Sequence, residues 1–171
     1  YGNIASITSS IENTFGSRIM TNGFLLNNQL SDFNFKIKNN LYKNNIIEPL
    51  KRPLSSMSPT IIFDENNNIR MVIGSPGGKS IIMYVVKTII AVLDWEMSIE
   101  EAVNFPNFSI YKNKILIEKD NFDKDFKEYL LNLGHLVVEK ELNSGLNGFE
   151  IKDKIIYGAA DKRRNGLFIH N

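Results

Sequence analysis

Three short stretches carry residue types that could do chemistry. Gly74-Ser75-Pro76-Gly77-Gly78 closes a β-branched run and leads into a long apolar segment. Two consecutive glycines before a helix expose adjacent backbone N–H groups, which can stabilise an oxyanion. The plainer alternative is a tight strand-to-helix turn whose glycines permit unusual dihedrals. Read as a phosphate loop, Gly74–Gly78 is taken to lack both the Gly-x-Gly-x-x-Gly spacing and a Gly-Lys-Ser/Thr ending. Lys51-Arg52-Pro53-Leu54-Ser55-Ser56-Met57-Ser58-Pro59-Thr60 sets three serines between two prolines. That is either a rigid connecting loop or a pair of hydroxyls fixed to hold a carboxylate at little ordering cost. Leu25-Leu26-Asn27-Asn28-Gln29-Leu30-Ser31-Asp32-Phe33 places amides and a carboxylate beside an apolar run, and its bland reading is a polar turn after a strand.

Other chemistry is excluded by what the chain lacks. Cysteine is absent, which removes a disulfide framework, a thiolate zinc site and a cysteine nucleophile together. The two histidines are His135, just after Gly134, and His170, beside the last residue. Both read as loop or surface residues rather than a catalytic base, so neither a Ser-His-Asp triad nor a histidine metal site is expected. The 20 Lys and Arg nearly balance 19 Asp and Glu, and this gives no footprint for nucleic acid. The apolar stretch from Ile81 to Leu93 is interrupted by Lys87 and closed by Asp94. It falls short of the roughly 20 residues that a membrane span needs, and so predicts a core helix.

The elements that must position these stretches follow from local signals. Gly2 to Ile11 reads as extended. Thr60–Phe63 and Ile69–Ile73 flank Asp64-Glu65-Asn66-Asn67-Asn68 and predict a hairpin. Ser98 with Glu101 forms a capping box for a second helix that stops before Pro106. A third helix is predicted from Asp123 to Leu133, with Phe126, Leu130 and Leu133 on one face and Gly134 as its C-cap. Strands follow at Leu136–Glu139, Phe149–Lys152 and Lys154–Tyr157, the last two as a hairpin. At 171 residues the chain can bury one sizeable core, and residues 1–171 are expected to form a single domain. Strands, then helices, then strands predict a layered α+β fold rather than a doubly wound sheet.

Together, Leu25–Phe33, Arg52–Thr60 and Gly74–Gly78 resemble the three signature stretches of the gamma-glutamyltransferases, in order and at compatible spacing. Thr14-Phe15-Gly16-Ser17 and Tyr157-Gly158-Ala159-Ala160-Asp161 fit as well, so the resemblance spans essentially the whole chain. It implies an N-terminal-nucleophile hydrolase fold, an αββα sandwich completed by a large subunit of the same self-cleaving precursor. It also implies a Thr nucleophile whose own amine acts as base, with no cofactor and no metal. By position, Gly77 and Gly78 would supply oxyanion N–H groups, Ser55 and Ser56 would bind the substrate α-carboxylate, and Gln29 and Asp32 its α-amino group. Ser10 would take the place of a second Thr that hydrogen-bonds the nucleophile.

The sequence departs from the family pattern in three ways. Gly2-Asn3 matches a segment one strand downstream of the nucleophile, so this stretch alone is expected to be inactive. Glu12 stands where members commonly have Asn, and it could favour the substrate ammonium or repel the carboxylate. Asn34 to Leu50 is shorter than lid-bearing versions; a lid role for Tyr42 is disfavoured, and a site open to acceptors is expected. The resemblance implies gamma-glutamyl hydrolysis and transfer on glutathione-like amides, with water, an amino acid or a peptide as acceptor. Two alternatives stand beside it: a glutaryl or cephalosporin-type acylase, and a catalytically inactive homologue. A glutaryl group has no amine for Asp32 to hold. Relatives are often periplasmic, secreted or on the outer face of a membrane; this family expectation leaves a cytoplasmic location open and does not assign a compartment.

Overall fold

The computed structural model describes residues 2–35 and 43–169, which form two compact units. The larger comprises Tyr1–Thr8 with Ser56–Asn171, and the smaller Ser9–Ser55. Tyr42 and His170 lie outside the described residues.

The smaller unit is built from turns. Strands β1 (Met20–Thr21) and β2 (Phe24–Leu25) pair antiparallel around Asn22-Gly23. Both turn residues have positive φ, 46° and 85°. That backbone matches the strand twist and explains the Asn-Gly pair. A single turn of 3-10 helix at Gln29–Asp32 follows. Gly16 is required for a close approach, because a Cβ there would sit 2.1 Å from the Leu26 carbonyl oxygen.

In the larger unit, β3 (Thr60–Phe63) and β4 (Ile69–Gly74) form the predicted hairpin. Strand β4 also pairs antiparallel with β8 (Asn147–Lys152), which pairs with β9 (Ile155–Ala160), giving a four-stranded sheet in the order β3-β4-β8-β9. Helices α1 (Ile81–Leu93) and α2 (Ile99–Asn104) pack with this sheet through Met71, Ile73, Tyr84, Val85, Ala102 and Leu146. The capping box is formed: Ser98 Oγ accepts from Glu101 N–H, and Glu101 Oε2 accepts from Ser98 N–H.

Helix α3 (Lys124–Asn132) is one residue shorter at each end than predicted, with Asp123 as its N-cap, and Gly134 takes φ 85° just beyond its end, as the sequence predicts. Among the described residues, Phe126, Tyr129 and Leu133 of this segment are exposed, while Leu130 on the predicted apolar face is half-buried. The simple strand-helix-strand order needs correction. A hairpin of β5 (Phe108–Tyr111) and β6 (Lys114–Glu118) lies between α2 and α3, and β6 pairs in parallel with β7 (Leu136–Lys140). The parallel pair is joined through α3, as parallel strands require a crossover. Among the described residues no helix is long and apolar enough to cross a membrane.

Candidate active site

The Gly74–Gly78 loop runs from the end of β4 into one turn of 3-10 helix, Gly78–Ser80, that feeds α1. Gly77 has φ 142° and Gly78 φ 58°, both in the region that favours glycine. The two glycines are not equivalent. A Cβ on Gly77 would lie 2.5 Å from Cε2 of Tyr84, whose ring is buried beneath the loop, whereas a Cβ on Gly78 would meet open space. Burial pushes the Tyr84 phenol up, and a hydrogen bond with Ser80 acts in the opposite direction. Among the described residues, no acceptor is bonded to the N–H of Gly77 or Gly78. Two adjacent donors at the start of a helix are thus available to a developing negative charge. Gly78-Lys79-Ser80 does carry the ending of a phosphate loop, but Gly74 stands one residue too close to Gly78 for that motif.

Within the smaller unit, Ser10, Glu12, Gln29 and Asp32 are brought into one group of turns. Ser10 Oγ accepts the N–H of Glu12 at 2.8 Å, a local turn that holds Glu12 at φ 72°. Asn28 N–H donates to Ile11 O at 3.2 Å, and Asn13 N–H to Asn28 Oδ1 at 3.1 Å, joining that turn to the Asn27–Asp32 loop. Gln29 Nε2 donates to Asp32 Oδ2 in a short hydrogen bond, and both side chains are half-buried. The amide thereby fixes the carboxylate's orientation and leaves Gln29 Oε1 as a further acceptor.

Asn45 links this loop to the serine stretch. Its Nδ2 donates to Asp32 O at 2.7 Å, while its Oδ1 accepts Leu54 N–H at 2.8 Å, next to Ser55. Sequence reasoning missed Asn45, which sits in an unremarkable Lys-Asn-Asn run. Ser55 is exposed; Ser56, in the larger unit, is half-buried and its carbonyl accepts from Ser58 Oγ at 2.9 Å. His135 is exposed just beyond the end of α3. Among the described residues no group of three His, Cys, Asp or Glu could hold a metal ion.

A buried polar network lies behind the glycine loop. Asp161 is fully buried and accepts from Ser144 Oγ in a short bond, from Leu146 N–H at 3.3 Å, and from Arg163 N–H at 2.9 Å. Arg163 also grips Glu118 with two nitrogens, at 2.5 and 2.9 Å. Burial opposes the Arg163 charge, yet its bonds to Glu118 and the nearby Asp161 raise its pKa above the ordinary value. Lys87 is buried too; its Nζ donates to the carbonyls of Ala102 and Phe105 at 2.9 and 3.0 Å, capping the end of α2. Burial, with repulsion from Arg163, lowers the Lys87 pKa to about 8, against the attraction of Asp161 and Glu118.

The gamma-glutamyltranspeptidase family model matches residues 1–170. The glutathione hydrolase proenzyme of Bacillus subtilis is 36% identical over 176 residues, covering 99% of this chain and 29% of that protein. An acivicin-inhibited gamma-glutamyltranspeptidase, whose C-terminus has critical roles in its autoprocessing and catalysis, superposes with a TM-score of 0.88 at 39% identity. That match covers 96% of this chain and 94% of the other. A mutant of the Helicobacter pylori gamma-glutamyltranspeptidase superposes with a TM-score of 0.87 at 40% identity, over 95% and 94% of the two chains.

The chain belongs to the gamma-glutamyltranspeptidase family, and its α+β architecture is the N-terminal-nucleophile hydrolase fold of those neighbours. It spans less than a third of the Bacillus subtilis protein's length.

Proposed function

We propose that the full-length protein is a gamma-glutamyl hydrolase and transpeptidase acting on glutathione and related amides. This chain would be most of its small subunit, paired with a large subunit from the same precursor. A Thr upstream of these residues would attack the γ-carbonyl carbon, its N-terminal amine taking the hydroxyl proton. The oxyanion so formed would accept from the N–H groups of Gly77 and Gly78. Cleavage of the C–N bond, with the proton delivered to the departing amine, leaves a γ-glutamyl ester. Water or an acceptor amine then attacks the ester and releases the Thr hydroxyl.

The observation that carries the reading is the pair of adjacent N–H groups on Gly77 and Gly78 at the entrance to α1, unengaged among the described residues. In the same reading Asp32 and Gln29 hold the substrate α-ammonium, and Ser55 and Ser56 hold the α-carboxylate. Glu12 adds a second carboxylate on the ammonium side, and Ser10 hydrogen-bonds the nucleophile. The Gln29–Asp32 hydrogen bond supports this assignment because it pre-orients the acceptors for a cation.

Mass spectrometry of the processed full-length protein, acid-quenched during turnover of a γ-glutamyl anilide, tests the proposal. One γ-glutamyl ester should sit on the N-terminal Thr of the subunit containing these residues. An uncleaved chain, or a processed one that never carries the ester, refutes it and favours the inactive homologue. The acylase reading is separated by Asp32→Ala, which should cost about 2–5 kcal/mol in kcat/KM for a γ-glutamyl donor. A glutaryl donor, which lacks the amine, should be nearly unaffected; equal losses on both donors would remove Asp32 from the ammonium.

A further inference from the structure

Ser75 is buried, 2% exposed, and no role has been assigned to it. Its Oγ donates to the carbonyl oxygen of Pro76 at 2.7 Å and accepts the N–H of Gly145 at 3.2 Å. Pro76 C=O and Gly77 N–H belong to one planar peptide group. A hydrogen bond received on that oxygen therefore fixes the plane in which the Gly77 N–H points. It also polarises the amide, so that its N–H becomes a stronger donor.

We propose that Ser75 is a positioning residue of the oxyanion hole, relaying the Gly145 N–H through its hydroxyl to the Pro76–Gly77 peptide that would receive the substrate oxyanion. The inference rests on the oxyanion role proposed above for Gly77.

The far end of the relay is rigid. Gly145 presses on Pro76 so closely that a Cβ would lie 2.7 Å from the proline Cγ. Its neighbours are pinned from below: Ser144 by Asp161 Oδ2 and by Asn107 Nδ2 at 2.8 Å, and Leu146 by Asp161 through N–H to Oδ2 at 3.3 Å and O to N–H at 2.8 Å. Asn107 N–H is held in turn by Glu118 Oε2 at 2.6 Å. With Gly145 N–H occupying one side of the Ser75 oxygen, the hydroxyl hydrogen is directed to Pro76 O. The Tyr84 ring also packs against Gly77, where a Cβ would meet it at 2.5 Å. The hydroxyl is 70 residues from its donor, so the relay is a tertiary device rather than a local turn.

The test compares Ser75→Ala and Ser75→Cys with wild type in the processed full-length protein, using a γ-glutamyl anilide. Removing an oxyanion donor outright costs a factor of about 100 to 1,000 in kcat. Misaligning and depolarising one should cost less, about tenfold for Ser75→Ala and about threefold for the weaker thiol donor of Ser75→Cys. KM should stay within about twofold of wild type, because ground-state binding is untouched. If Ser75→Ala does not fold, the Cys variant decides: reduced kcat at unchanged KM upholds the relay. Wild-type kcat in a folded variant overturns it, as does a rise in KM without loss of kcat. Wild-type protein that forms no γ-glutamyl ester would instead overturn the underlying functional reading.

Discussion

The sharpest consequence of the loop geometry is that Gly77 and Gly78, identical in sequence, should respond very differently to alanine. At Gly77 the new side chain meets two obstacles: a φ of 142° that L-residues rarely adopt, and a carbon of Tyr84 at 2.5 Å. The first costs about 1–3 kcal/mol. The second, against a ring that is only 2% exposed and has no room to retreat, adds about 1–3 kcal/mol. The protein can relieve both only by rotating the Pro76–Gly77 peptide, which turns its N–H away from the oxyanion. Gly77→Ala should therefore lower kcat by about 100-fold or more, the effect of losing one oxyanion donor. Gly78→Ala meets no atom within 4 Å, and its φ of 58° is a left-handed conformation that costs an alanine only about 1–2 kcal/mol. Its kcat should fall by less than about tenfold. The assay is saturating turnover of a γ-glutamyl anilide per mole of processed enzyme, alongside thermal unfolding. Adding Tyr84→Leu to Gly77→Ala should recover part of the stability but little of the turnover, since it removes the collision and leaves the φ. Equal losses at the two glycines, or full turnover in Gly77→Ala, would refute the reasoning.

Two further predictions concern the buried charges behind the loop. The Lys87 pKa is lowered from 10.5 to about 8. Below that value the ammonium is charged in both the folded and unfolded states, and folding bears its full desolvation cost. Between pH 8 and 10.5 the folded form has lost a proton that the unfolded form keeps, so stability rises with pH, by about 3 kcal/mol across the window. Thermal unfolding of the processed protein should show wild type gaining on Lys87→Met across that range, and a constant difference would exclude a buried, neutralising lysine. Asp161→Asn replaces an acceptor facing Ser144, Leu146 and Arg163 with a group that must donate. It should cost about 2–5 kcal/mol in thermal or denaturant unfolding; a loss below about 0.5 kcal/mol would mean the network is not maintained in solution.

Much of the fold was legible because its signals are local. A capping box at Ser98 and Glu101, a cap at Asp123 and a glycine at position 134 act within a turn or two of the residues that carry them. The β5–β6 hairpin went unread although its signal was present: Ile110, Ile115 and Ile117 flank a Lys112-Asn113 turn, with Lys112 at φ 55°. Asn22-Gly23 was a similar missed cue for the small β1–β2 hairpin. Lys87 could be read only as an interruption of an apolar helix, since nothing in Ile81 to Leu93 announces the α2 carbonyls that it caps.

The sequence by itself determined the family, the α+β class and the candidate Gly-Gly, Ser-Ser and Gln-Asp residues, because short motifs and capping rules depend on neighbours only a few positions apart. Tertiary structure alone decided which of the two glycines meets a side chain, by placing Tyr84 against Gly77, and which donor reaches the Ser75 hydroxyl, by bringing Gly145 to it. Those outcomes depend on atoms that the chain topology brings within 3 or 4 Å, and no local propensity encodes that proximity.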